Sequence, residues 1–143
     1  MATDAWVAFP QYAYDGYHPA KGDQLPQIKW GAQTGTIYVQ VTHDGDQLVL
    51  LLQNVLRDSI AEWASPPSKG VAIEPEYLSA RLVHAAYNDS FSTVLISVTQ
   101  PTEENIEYRY TVDVKSKTVT VLGPVDRVYN YDQFLRKIFP YTL

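Results

Sequence analysis

The chain contains no cysteine, which removes disulfide bridges, thiolate nucleophiles and cysteine-bound zinc in one step. Long apolar runs are missing too. The longest strongly apolar stretch, Leu48 to Leu52, falls far short of the ~20 residues a membrane helix needs, so no membrane role is expected. The opening residues, MATDAWVAFP, have neither a basic start nor a continuous apolar segment. They predict a cytoplasmic protein without a secretory signal, in which Asn88-Asp89-Ser90 is a chance match to a glycosylation acceptor. The G-x-S-x-G, G-x-x-x-x-G-K and G-x-G-x-x-G motifs are absent, which leaves no nucleophile elbow and no phosphate cradle to argue from. Neither a cofactor nor a metal is expected.

Basic residues are also scarce. Lysine and arginine number 11 against 16 aspartates and glutamates, for a net charge of −5. The excess is uneven: residues 1–105 hold 12 acids and 5 bases, whereas residues 106–143 hold 4 acids and 6 bases. An acidic chain repels phosphate backbones, so nucleic acid is not an expected partner. A basic protein, by contrast, would be steered toward the first two-thirds.

What the chain has in excess is tyrosine, 11 residues against 4 phenylalanines. Tyrosine covers apolar surface while keeping a hydroxyl for water or a partner, which suits half-exposed faces and interfaces. The densest aromatic stretch is FPQYAYDGYHPAKGDQLPQIKW, Phe9 to Trp30. Its first part shares a parity that fits an edge strand over Ala5–Tyr14, with Pro10 tolerated at an edge. Asp15-Gly16 reads as a turn and residues 17–27 as a loop, so that residues 9–30 are expected to lie on a sheet. Trp6 and Phe9 are the rings assigned to packing, and the later tyrosines to contact.

Further along, Ile37, Val39 and Val41 alternate with polar residues, and Asp44-Gly45 follows. This predicts a hairpin returning through Leu48–Gln53. The same stretch also carries a helical stripe, Leu48, Leu52, Val55, Leu56, Ser59, Ile60 and Trp63, with Asp46 as a possible N-cap. The two readings coexist if a helix starts at Asn54 and stops before Pro66-Pro67. A second helix opens at Pro75 and runs to about Asn88. Three strands follow, Phe91–Thr99, Ile106–Lys115 and Thr118–Gly123, as a meander, and YDQFLRKIF forms a last amphipathic helix. The expected fold is therefore a single α+β domain spanning residues 1–143. It has a mainly antiparallel sheet (a hairpin plus a three-stranded meander) and two or three helices on one face.

The polar clusters are modest. His43-Asp44-Gly45-Asp46 lacks the spacing of a calcium loop or a zinc helix and is explained as a turn. His84 reads as a boundary histidine one helical turn from Arg81. His18, among tyrosines, is the histidine that stands out. Glu103-Glu104 and Glu74/Glu76 read as solvated faces. The reading that absorbs most of these features is a non-enzymatic protein-binding module, a small acidic inhibitor or immunity-type protein blocking a basic partner. Tyr12, Tyr14, Tyr17, His18 and Trp30 would supply contact area, and Asp15, Asp23, Asp44 and Asp46 steering charge. Two alternatives stay open: a small-ligand-binding protein or enzyme with a pocket lined by Tyr, Trp and His, and a self-assembling structural subunit.

Overall fold

A computed structural model describes residues 4–18, 27–42, 45–63, 73–89, 93–102 and 106–139. It is a single α+β domain built on one six-stranded sheet. Strand β1 (Asp4–His18) is followed by β2 (Gln27–Thr42), helix α1 (Leu48–Trp63), helix α2 (Pro75–Asn88), β3 (Thr93–Ser97), β4 (Ile106–Asp113), β5 (Thr118–Leu122), β6 (Arg127–Asn130) and helix α3 (Tyr131–Arg136). The spatial order is β3-β2-β1-β4-β5-β6, antiparallel throughout except for the parallel pair β1–β4. No helix among the described residues is long and apolar enough to cross a membrane.

Alternation along the strands creates the core. Ala5, Val7 and Phe9 of β1 lie in register with Val41, Val39 and Ile37 of β2, and Val7 faces Tyr110 of β4. These residues, with Val112 and Val119, share one buried cluster with Leu48, Leu52 and Leu56 of α1, Leu78, Leu82 and Ala86 of α2, and Phe134 of α3. All three helices thus cover the same face of the sheet. Trp6 and Ala8 alternate onto the other face and are buried as well. There the Trp6 ring meets Tyr38 edge-on, with centroids 5.4 Å apart.

Three expectations need correcting. First, β1 is a central strand, and residues 9–18 and 27–30 belong to the sheet itself rather than lying on it. Pro10 is compatible with that position because pairing with β4 stops at Ala8, so beyond it a missing N–H costs no ladder bond on that side. Second, the stretch from Leu48 is helix from its start. Leu48, Leu52, Val55, Leu56 and Ser59 are buried while Leu50 is 41% exposed, which a strand buried on both faces would not allow. Gly45 opens a short 3₁₀ turn (Gly45–Gln47) instead of a hairpin. A Cβ at Gly45 would come within 2.9 Å of the Ala5 backbone and side chain, so glycine is required for close approach. The hairpin is β1–β2.

Third, β3 pairs with β2 and not with β4. The meander is β4–β5–β6, completed by a strand, Arg127–Asn130, too short and too exposed to show alternation. On α2 the His84 ring nitrogen lies 3.1 Å from the Asn88 amide one turn on. Arg81 pairs with Glu62 of α1 at 2.6 Å, and Tyr77 donates to the same carboxylate at 2.8 Å, joining the two helices.

Helices α2 and α3 form where their end signals stand. Pro75 occupies the first turn of α2. Asn130 and Gln133 make a reciprocal capping box at the start of α3, and the buried Gln53 amide donates to the carbonyls of Phe134 and Lys137, both at 2.9 Å. The β4–β5 turn places Lys117 at a φ of 57°, the left-handed region that a non-glycine residue seldom occupies.

Candidate functional site

Pairing lengths single out one part of the sheet. β1 meets β4 only from Asp4 to Ala8, and β2 meets β3 only from Tyr38 to Thr42. Residues 9–18 and 27–37 therefore continue as a two-stranded arm beyond their neighbours. At ~3.3 Å per residue its contour is about 30 Å. Register shifts between Gln11 and Tyr12, Tyr12 and Tyr14, and Tyr14 and Gly16 bend and twist it. Gly16 takes a φ of 154° at the last of them, a conformation that suits glycine.

The root of the arm is tied down by side chains from distant parts of the chain. The Tyr12 hydroxyl donates to Asp113 Oδ1 at 2.8 Å, and the same oxygen accepts from the backbone N–H of Lys115 at 2.9 Å. Lys115 extends its ammonium group over the Tyr12 ring, 5.5 Å from the centroid, and donates to the Gly31 carbonyl at 3.1 Å. Tyr131 of α3 donates to the Asp113 carbonyl at 3.3 Å. On the helix side Gln11 donates to Glu76 of α2 at 3.0 Å; near the far end of the arm Ile28, opposite Tyr17, packs on the small cluster of Trp63 and Ile73. Burial, then the hydrogen bond and charge of Asp113, push the Tyr12 phenol up to about 12. Burial and the neighbouring Asp113 also raise Tyr131. Both phenols are thus held neutral and act as donors, not bases.

Between these two attachments the arm opens to solvent. Ala13, Asp15, Lys29, Ala32, Gln33 and Thr34 are exposed, and the Tyr14 ring is 60% exposed. Tyr14 stands opposite Trp30 in the ladder, whose half-buried ring lies 6.4 Å from that of Tyr12.

The arm gathers Tyr12, Tyr14, Asp15 and Trp30 in one place. Tyr17 and His18 continue β1, paired along the backbone with Ile28 and Gln27. Asp23 and Asp44, and with Asp44 also His43, lie outside the described residues. Asp46 is elsewhere: the 3₁₀ turn that carries it abuts Asp4 and Ala5, at the opposite end of β1 from the arm. Sequence reasoning missed Asp113, Lys115, Gln11 and Tyr131 as the root's fasteners. The one visible signal was the alternation that sends Asp113 and Lys115 to the polar face of β4. Nothing local connects Asp113 to Tyr12, 101 residues away.

Two other features could hold something small. An open recess of about 450 Å³ lies between β6 and α3, lined by Val128, Tyr129, Gln133, Arg136 and Lys137. On the sheet face away from the helices, Trp6 Nε1 and Arg109 Nε are buried without a hydrogen-bond partner among the described residues. No group of three or more His, Asp or Glu side chains among the described residues is placed to hold a metal ion. Comparison with protein-family models, with curated proteins and with solved structures gave no match.

Proposed function

We propose that the chain is a non-enzymatic protein-binding module, a small acidic inhibitor or immunity-type protein, that sets the open half of its β1–β2 arm against a basic partner. The observation that carries this reading is the exposed Tyr14 ring on an arm whose root is fastened at Tyr12. A large amphipathic ring on a prepositioned backbone loses little conformational freedom on binding, as interface anchors require. Asp15 beside it, and the acidic balance of residues 1–105, supply steering toward a positive surface. Affinity capture from the source lysate at low and high salt tests it. The expected result is a basic protein retained at low salt, weakened at high salt and lost with Tyr14→Ala. Equal capture by the wild type and by Tyr14→Ala with Asp15→Ala would rule the arm out as the contact surface.

The recess between β6 and α3 favours a second reading, a binder of small molecules. Its volume is within the range of ligand pockets, and Lys137 on its wall, with Arg136, which is also paired with Asp132 at 2.9 Å, favours anions. A thermal-shift screen with anionic metabolites should then show stabilisation that Lys137→Ala and Arg136→Ala remove.

A further inference from the structure

The two edges of the sheet are finished very differently. β6, at one end, is four residues long, carries Arg127, follows Pro124 and Asp126, and has α3 continuing directly from it. Charge, proline and brevity are what natural sheets use to keep an edge from pairing. β3, at the other end, is one residue longer and has neither charge nor proline. From Ser90 to Thr102 no residue is charged, and proline appears only at Pro101. Leu95 is 45%, Ile96 63% and Val98 79% exposed. Leu95 lies in register with Gln40, and Ile96 with Val39 of the core face, so apolar side chains stand exposed on both faces of this edge.

We propose that β3 is a self-association edge, at which two copies of this chain pair β3 against β3, antiparallel, about a two-fold axis at Leu95. This surface is distinct from the arm, and either can fail without the other. In this register Leu95 of one copy stands opposite Leu95 of the other. Val94 then faces Ile96 twice, and Thr93 faces Ser97 twice. Each cross-strand pair is apolar with apolar or hydroxyl with hydroxyl, the combinations that stabilise antiparallel ladders. A two-fold axis normal to the sheet keeps both helix layers on one side, so the sheet continues across the junction with an unbroken buried face.

The choice of a second copy over a foreign partner rests on charge. The chain carries −5 overall, so most of its surface would repel itself, yet this edge has no charge to oppose itself. A basic partner attracted to the chain would equally find no acid on β3. Neutrality there favours the chain's own strand.

The absence of native cysteine makes a direct test possible. Opposed residues in an antiparallel pair sit at Cα separations that permit a disulfide. Single substitutions Leu95→Cys and, as a control at the other edge, Val128→Cys would be oxidised with a mild catalyst and run on a non-reducing gel. Covalent dimer from Leu95→Cys and little from Val128→Cys is the expected result. In parallel, sedimentation of the unmodified protein should show an average mass rising from one chain toward two with concentration, and Ile96→Lys should hold it at one chain. Far-UV circular dichroism confirms that the lysine variant is folded; if it is not, Leu95→Lys replaces it. A monomer at every concentration, a dimer indifferent to both lysine variants, or cross-linking at Val128→Cys alone would overturn the proposal.

Discussion

Strand β1 passes through two environments within a dozen residues. From Asp4 to Pro10 every residue is buried, whereas Ala13, Tyr14 and Asp15 are all exposed. The partner β2 is the same along both parts. What changes is the surroundings: the first part has helices above it and, as far as Ala8, β4 on its other side, and the second has lost β4. Burial of an aromatic residue here is set by how many elements the topology stacks around it. Trp6 and Phe9 are enclosed, Tyr12 and Trp30 are half-enclosed, and Tyr14 projects, although all five lie within the first thirty residues.

If this contrast is correct, substitutions along the strand should fall off in cost in that order. Phe9→Ala removes a fully buried ring and should cost about 3–5 kcal/mol in urea unfolding. A loss under about 1 kcal/mol would mean that the first half of β1 is not the closed core described above.

Tyr12→Phe, at the boundary, should cost about 1 kcal/mol, the value of one hydroxyl donor, because Asp113 Oδ1 keeps its bond from the Lys115 N–H. Its effect on pH dependence is more specific. The folded protein holds the Tyr12 proton up to about 12, against 10.0 for an ordinary tyrosine. Between those values the unfolded chain has released a proton that the native state retains. The stabilisation is therefore complete below about pH 10 and is lost as pH rises toward 12. Tyr131, also raised, adds a loss of the same sign. Stability curves measured across this window should be shallower for Tyr12→Phe than for the wild type. Identical slopes would show that the phenol is not tied to Asp113 in solution.

The smallest effect should come from Tyr14→Ala, within about 0.5 kcal/mol of wild type. A substantially lower melting temperature would place Tyr14 with Phe9 and erase the distinction between the two halves.

The sequence was most readable where local signals and tertiary position agree. α2 follows from Pro75 and the spacing of Leu78 and Leu82; α3 from Phe134 and its neighbours; β4 from clean alternation. It misled where one residue type serves two purposes. Glycine after Asp44 is what a hairpin needs, and it is equally what a chain needs where an added Cβ would fall 2.9 Å from Ala5. Leu48–Leu52 has no polar interruption, so neither period shows until the exposure of Leu50 decides it. Partner choice was out of reach. Sequence order points to β4 as the partner of β3, but β3 lies beside β2 across the sheet, and short apolar strands carry no label for their partner. Of the candidate surface, Tyr14 and Asp15 were legible as projecting groups. The fasteners at Asp113 and Lys115 were not, because their contacts with Tyr12 and Gly31 exist only once the sheet has closed.

The parallel β1–β4 pair has a consequence for how the chain comes off the ribosome. β1 and β2 can zip together as soon as both have emerged, but the other side of β1 must wait for Ile106–Thr111, with which it pairs. Until then the growing chain carries an open strand, rich in Trp, Val and Phe, at what will become the middle of its sheet. Closing a contact across roughly one hundred residues carries a high entropic cost, which slows folding. During translation, this interior strand and not either finished edge is the surface most in need of a chaperone's cover.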